Sequence, residues 1–225
     1  MKILVVNGNP KKTGFLAAAT ELAVERLSGQ GVEAPLVALG DAHIQDCTGC
    51  FQCLKTGKCS IGDDMDGIVS HMLEADGYVM ISAVRNADVT ACYKRFYERI
   101  TYRLGFPLLL EDKYTLAISA VGYMSGKSAN RRLLGLQDVC NTHLSGHLHM
   151  AVGIPAKPMD EKRIARIESA VDRLVADVRS RKDRSAARKA AFALDRFIMK
   201  RFIFRGREDL YANVVRHWKD KGYLF

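Results

Sequence analysis

The sequence predicts an α/β fold built on one doubly wound, five-stranded parallel sheet in residues 1–155, followed by a basic helical extension in residues 156–225. Two observations lead to this class. Five short apolar segments alternate with longer segments whose apolar residues recur every three or four positions. Apolar strands joined by helical crossovers are typical of a parallel sheet covered on both faces. Gly, Asn and Pro residues separate the segments and indicate the turns between them.

The first strand and the first helix show how each element is assigned. Residues 2–6 form an apolar run that ends at Asn7 and Gly8, which indicates a buried strand. A helix is expected over residues 14–29, because apolar residues recur at helical spacing from Phe15 to Leu27. The same criteria place the remaining strands at 36–39, 78–81, 114–119 and 147–152, and the remaining helices at 63–73, 89–104 and 125–140.

Positive charge is concentrated in the last third of the chain. Of 34 Lys and Arg residues and 25 Asp and Glu residues, 19 and 10 lie in residues 157–225, which leaves 15 of each in residues 1–156. Helices are expected there at 160–182, 185–204 and 208–220, and the middle one is both basic and amphipathic. It suits an oligomer contact with a solvated basic face or an acidic partner protein, while contact with a membrane surface is not favoured. Nucleic-acid binding is not expected, because no binding motif accompanies the charge.

We expect a cytoplasmic location. No apolar run approaches the roughly 18 residues of a membrane-spanning helix. The apolar N-terminus is interrupted too early, at Asn7, to be a signal peptide. In such a chain, clustered cysteines indicate metal or redox chemistry more than structural disulfides.

The turn after the first strand has the composition of an anion site. Residues 7–13 read Asn-Gly-Asn-Pro-Lys-Lys-Thr and directly precede a helix N-terminus, where backbone N–H groups favour an anion. Ligands of open α/β sheets bind at this carboxyl edge of the strands. The loop lacks the Gly-x-Gly-x-x-Gly pattern, which argues against a dinucleotide-binding fold. The same residues could also form an ordinary polar turn.

Four cysteines are spaced as Cys-x2-Cys-x2-Cys-x5-Cys, at Cys47, Cys50, Cys53 and Cys59. Three thiols at two-residue gaps can wrap one [4Fe–4S] cluster, and Gly49 and Gly57 allow the tight backbone turns this needs. Structural zinc sites usually use two separated pairs, so zinc fits this compact run less well. Thiols without a cluster, or a transient disulfide, are also consistent with this spacing.

With these motifs the chain resembles the NAD(P)H-dependent FMN reductase family, which has a flavodoxin-like fold, and within it the iron–sulfur flavoprotein branch. The similarity covers residues 1–155. Residues 8–14 are similar to the family's phosphate loop, and residues 47–59, with Asp63-Asp64-Met65 after them, are similar to the branch's cysteine motif. Residues 75–99 are similar to the segment that cradles the flavin ring and the helix that follows it.

The resemblance implies FMN and a [4Fe–4S] cluster as cofactors, with NAD(P)H as a co-substrate. The cluster would be held by Cys47, Cys50, Cys53 and Cys59. The expected flavin contacts are Asn9, Pro10, Lys11, Lys12, Thr13, Gly14, Phe15 and Leu16 around the phosphate; Ser82, Ala83, Val84, Arg85, Asn86, Ala87 and Asp88 against the ring; and Val121, Gly122, Tyr123 and Gly126 on the other side.

The implied function is an FMN-dependent oxidoreductase or electron-transfer flavoprotein, with NAD(P)H or a ferredoxin-like protein as donor. A homodimer or tetramer is expected. No catalytic side chain is predicted, because the cofactor performs the electron transfer. Leu16, Ala83 and Arg85 differ from the residues usual in the family, and they support the alternative of a flavin-free interaction protein on the same fold. A second alternative is a cluster-free thiol redox-sensing protein that uses Cys47 to Cys59 without iron.

Overall fold

The computed structural model describes residues 1–123 and 132–224. It confirms the flavodoxin-like arrangement, since five parallel strands form one sheet in the order β2-β1-β3-β4-β5. The strands are β1 (Ile3–Asn7), β2 (Leu36–Ala38), β3 (Gly77–Ala83), β4 (Tyr114–Val121) and β5 (His143–Ala151).

The register brings the strand ends together at one edge of the sheet. Ala83 pairs with Ala120, and Val121 pairs with Ala151. Because all five strands are parallel, the loops that follow them emerge at this same edge. The order of strands changes direction around β1 and β3, which is where such folds place their ligands.

Helices cover both faces of the sheet. One core cluster joins the sheet to α3 (Met65–Glu74) and α4 (Ala91–Ile100), and the other joins it to α1 (Phe15–Ser28) and α6 (Glu161–Arg179). Burial of these apolar faces is the main term that stabilises the domain.

Helix α6, which the sequence places in the extension, packs against the sheet and α1. It buries side chains on one stripe at helical spacing, namely Ile167, Val171, Leu174 and Val175, in the same cluster as α1. Its Asp172 pairs with Arg26 of α1 at 2.6 Å. We therefore propose that the extension begins after Arg179 rather than at residue 156.

Several helices differ in extent from the expected ones. The helix expected at 125–140 lies partly outside the described residues, and its described part contains α5 (Gly135–Val139). Helix α4 ends at Ile100 and is followed by a π-helical turn at Thr101–Gly105. A short helix, α2 (Gln52–Thr56), forms within the cysteine segment.

The extension contains α7 (Ala186–Ile198), a π-helical turn at Met199–Phe204, and α8 (Ala212–Asp220). A third apolar cluster joins these helices to Leu54 of α2 and to Leu108. None of the described helices is long and apolar enough to cross a membrane.

Candidate functional site

The β1–α1 loop is shaped as a backbone cradle that lies open to solvent. The backbone N–H of Asn9 donates to Asn7 Oδ1 at 2.8 Å, and Asn9 Nδ2 donates to the carbonyl of Lys11 at 2.7 Å. Gly14 precedes α1 with a φ of 89°, a conformation that favours glycine. No side chain caps the helix at this position. The first-turn N–H groups of α1 are thus available to an anionic ligand.

The loop after β3 is a tight two-residue turn. Arg85 and Asp88 exchange backbone hydrogen bonds of 2.7 and 2.9 Å, while Asn86 and Ala87 between them have φ values of 51° and 65°. Positive φ at both central residues is typical of a type I′ turn. The turn fixes the backbone of Arg85 at the edge of the sheet.

The described start of the loop after β4, Gly122 and Tyr123, packs directly on the loop after β5. The N–H of Gly153 donates to the carbonyl of Gly122 at 2.9 Å. A Cβ at Gly122 would lie 2.5 Å from Ile154 Cδ1, so a larger residue here would require the exposed Ile154 side chain to shift. Tyr123 closes the loop pair, because its hydroxyl donates to the carbonyl of Ile154 at 2.9 Å.

These loops enclose a cavity of about 340 Å³. Lys11 and Arg85 contribute positive charge, and the described lining contains no Asp or Glu, so the cavity suits an anion. Its size is at the lower end of the range for small-molecule sites. The lining consists of Asn9, Lys11, Thr13, Gly14, Phe15, Leu16, Ala83, Val84, Arg85, Ala120, Val121, Gly122, Val152, Gly153, Ile154 and Ala156.

The other residues expected at the flavin take different positions. Ser82 is fully buried beneath the edge of the sheet, where its hydroxyl accepts from the Thr90 N–H at 3.3 Å. Lys12 forms an exposed ion pair with Asp41 at 2.9 Å. The described lining also leaves out Pro10, Asn86, Ala87, Asp88 and Tyr123, while Gly126 lies outside the described residues. Whether any of these residues binds a flavin stays a prediction.

Sequence reasoning missed the loop after β5. Val152, Gly153, Ile154 and Ala156 line the cavity because the chain folds over Gly122 at this point. The available signal was Gly153 followed by Pro155 at the end of an apolar strand, since these residues indicate a turn at the ligand edge.

The cysteine segment bends at three left-handed positions. Gly49, Phe51 and Gly57 have φ values of 67°, 56° and 78°. Phe51 precedes α2 and Gly57 follows it, so both ends of this short helix are defined by such residues. The segment therefore forms a compact loop that carries Cys53 on its helix.

The four thiols have unequal environments. Burial, followed by the electrostatic effect of Cys59, Cys47 and Cys50, raises the pKa of Cys53 to about 11. A hydrogen bond with the Ser60 hydroxyl at 3.4 Å, supported by the Gln52 backbone, lowers the pKa of the exposed Cys50. Among the described residues, no three His, Cys, Asp or Glu side chains are arranged to hold a metal ion.

A buried ion pair lies beside Cys59. Arg99 of α4 binds Asp63 through both guanidinium ends, at 2.6 and 3.0 Å, and each side chain is only 1% exposed. The same guanidinium contacts Cys59 Sγ at 3.4 Å and donates to the carbonyl of Gln45 at 2.9 Å. Asp63 also accepts from the backbone N–H of Gln45 and of Met65. This pair connects both ends of the cysteine segment to the sheet domain.

The fold and the cavity at its strand ends define a doubly wound α/β protein with a cationic cavity at the switch point. The family model for NADPH-dependent FMN reductase matches residues 1–153. The chain therefore belongs to the NADPH-dependent FMN reductase family.

Relatives and solved structures agree with this assignment. An iron–sulfur flavoprotein of Methanocaldococcus jannaschii is 34% identical over 121 residues, which are 53% of this chain and 63% of the relative. An iron–sulfur flavoprotein of Clostridioides difficile is 23% identical and aligns over the full length of both chains. A flavone reductase structure superposes with a TM-score of 0.63 at 18% identity, over 80% of this chain and 63% of that one, which shows the shared fold. The chain spans about half to two thirds of the length of the first relatives it matches.

Proposed function

We propose that this chain is an FMN-dependent oxidoreductase that accepts electrons from NAD(P)H or a ferredoxin-like donor and carries a [4Fe–4S] cluster. The observation that carries the proposal is the cationic cavity where the loops after β1, β3, β4 and β5 meet. Lys11 and the N–H groups at the start of α1 would hold the FMN phosphate. Arg85, fixed by its turn, would face the anionic form of the ring system.

The cluster is supported by the chemistry of its donors. Four thiols in one compact loop are the ligands that iron–sulfur clusters use. Arg99 beside Cys59 places a positive charge and N–H donors next to the sulfur, which is favourable for an anionic thiolate cluster. The relatives named as iron–sulfur flavoproteins add support.

When bound, the two cofactors would supply paired and single electron transfer respectively. The chain's own groups would bind and orient them, because no buried carboxylate or histidine lines the described part of the cavity. The cavity lining and the four cysteines share no described residue, so the two groups would be held by separate parts of the chain.

The test is anaerobic purification followed by assays of FMN, iron and acid-labile sulfide. We expect all three in the wild-type protein. Cys50→Ser and Cys59→Ser should lose iron and keep FMN, whereas Cys140→Ala, a control at a buried cysteine outside the loop, should keep both. Wild-type protein with FMN but no iron would refute the cluster, and protein with neither would refute the whole proposal.

A further inference from the structure

The C-terminal helix α8 packs against the cysteine loop. Leu54, between Cys53 and the end of α2, is 1% exposed and shares an apolar cluster with Val214 and Trp218 of α8. These residues are separated by about 160 positions in sequence, yet their side chains form one small core. The extension thereby buries the inner face of the helix that carries a predicted cluster ligand.

Gly57 lies directly against α8. A Cβ at this position would lie 2.9 Å from Asn213 Oδ1 and 3.1 Å from its Cγ. Asn213 is itself 4% exposed, and its Oδ1 accepts a hydrogen bond from Arg216 at 2.7 Å, which limits how far the side chain can move. The N–H of Gly57 donates to the carbonyl of Cys53 at 2.9 Å, so Gly57 ends the turn that carries this cysteine.

Helix α8 is also anchored to the sheet domain independently of the cysteine loop. Trp218 Nε1 donates to the carbonyl of Phe106 at 2.7 Å, and Lys221 Nζ donates to the carbonyl of Leu108 at 2.8 Å. The Tyr223 hydroxyl contacts the carboxylate of Glu111 at 3.0 Å. These bonds hold α8 in place, so it acts as a fixed surface against which the loop rests.

We infer that α8 is a wall of the cysteine site, and that Asn213 is a positioning residue that holds Gly57 and, through it, Cys53. The role in cluster binding rests on the proposed function, but the role in positioning Cys53 does not. The extension thus supports the conformation of the cysteine loop by direct packing.

The test measures iodoacetamide alkylation of each cysteine in the reduced, iron-free full chain by mass spectrometry. Gly57→Ala should raise the alkylation rate of Cys53 several-fold, because the new methyl group displaces the loop from Asn213. Adding Asn213→Ala should lower the rate to about that of Asn213→Ala alone, because the methyl group then occupies the space that the amide leaves. The control is Gly31→Ala, at a similar φ of 71° with nothing within 4 Å, which introduces backbone strain without a clash.

Cys140, 1% exposed in the sheet core, provides an internal reference for global unfolding, and its rate should stay constant across the variants. If Gly57→Ala does not fold, Asn213→Ala alone should still speed Cys53 modification relative to Cys140. Equal Cys53 rates in Gly57→Ala and Gly31→Ala, or no relief in the double variant, would overturn the inference. Iron content is measured in parallel on protein purified anaerobically. If that protein lacks iron but the variants show the expected alkylation rates, the proposed cluster is refuted and the positioning role of Asn213 is retained.

Discussion

A single substitution in the buried ion pair of Asp63 and Arg99 should strongly lower the free energy of unfolding. Asp63→Asn preserves the size of the side chain but removes the charge that compensates Arg99, whose side chain is 1% exposed. Breaking one partner of a buried pair typically costs about 3 to 5 kcal/mol, because the remaining charge stays desolvated. Two backbone N–H donors, of Gln45 and Met65, also lose a charged acceptor. Since whole domains are stable by roughly 5–15 kcal/mol, the variant should lose a large share of its free energy of unfolding.

The adjacent aspartate offers a matched control. Asp64 is exposed, and its carboxylate accepts a hydrogen bond from the His43 N–H at 2.7 Å, so Asp64→Asn should lower the free energy of unfolding by less than about 1 kcal/mol. Urea unfolding followed by circular dichroism at neutral pH measures both variants. If the two free energies of unfolding agree within about 1 kcal/mol, the pair does not compensate a buried charge and the reasoning fails.

The pH dependence gives an independent check of the same pair. Burial alone would raise the pKa of Asp63, but hydrogen bonds from Arg99, Gln45 and Met65, with the charge of Arg99, lower it overall. A lowered pKa in the folded state contributes stability above the unfolded value, about 3.9, and this contribution is lost as the pH falls through the folded pKa. The difference in the free energy of unfolding between wild type and Asp63→Asn should therefore be largest at neutral pH and become smaller below about pH 4.

Three further predictions concern other parts of the chain. Lys11→Ala should weaken FMN binding by about tenfold to a hundredfold in a fluorescence titration, whereas Lys12→Ala, outside the described cavity lining, should leave it within about twofold; equal losses would contradict the site. Gly8→Ala should lower the free energy of unfolding by about 1 to 3 kcal/mol in urea, because its Cβ would lie 2.7 Å from Tyr93; an unchanged value would contradict this packing. Phe202 is 63% exposed, and if a second copy covers it, Phe202→Glu should reduce the molar mass measured by light scattering; an unchanged oligomer would exclude this contact.

The sheet could be predicted because each strand is signalled locally. Segments such as Ile3–Asn7 and Gly77–Ala83 are buried along nearly their whole length, so their apolar runs alone identify them. The turn chemistry after β1 and the cysteine spacing are equally local signals. The fold class and the first loop of the cavity therefore followed from short stretches of sequence.

The remaining features depend on contacts between distant residues. Helix α6 is amphipathic in sequence, but the pattern does not say which surface its apolar stripe covers, so its place beside α1 was missed. Ile154 enters the cavity only because the register of β4 and β5 brings its loop over Gly122. Leu16 differs from the polar residue usual in the family, and its 5% exposure shows a second role in the core that the motif comparison does not reveal.

Helix α4 connects the two regions that the sequence identified separately. At its start, the Thr90 hydroxyl donates to the carbonyl of Gly8, at the base of the β1–α1 loop, while its oxygen also caps the helix. Near its end, Arg99 contacts Cys59 and the partner carboxylate of Asp63. Nine residues separate these contacts, which corresponds to about 14 Å along a straight helix. Because α4 buries half of its residues in the core, this one helix relates the position of the cysteine loop to that of the β1–α1 loop. Loss of the Arg99 contacts should therefore change the position of the cysteine loop first. The shape of the cavity should change only if α4 itself moves.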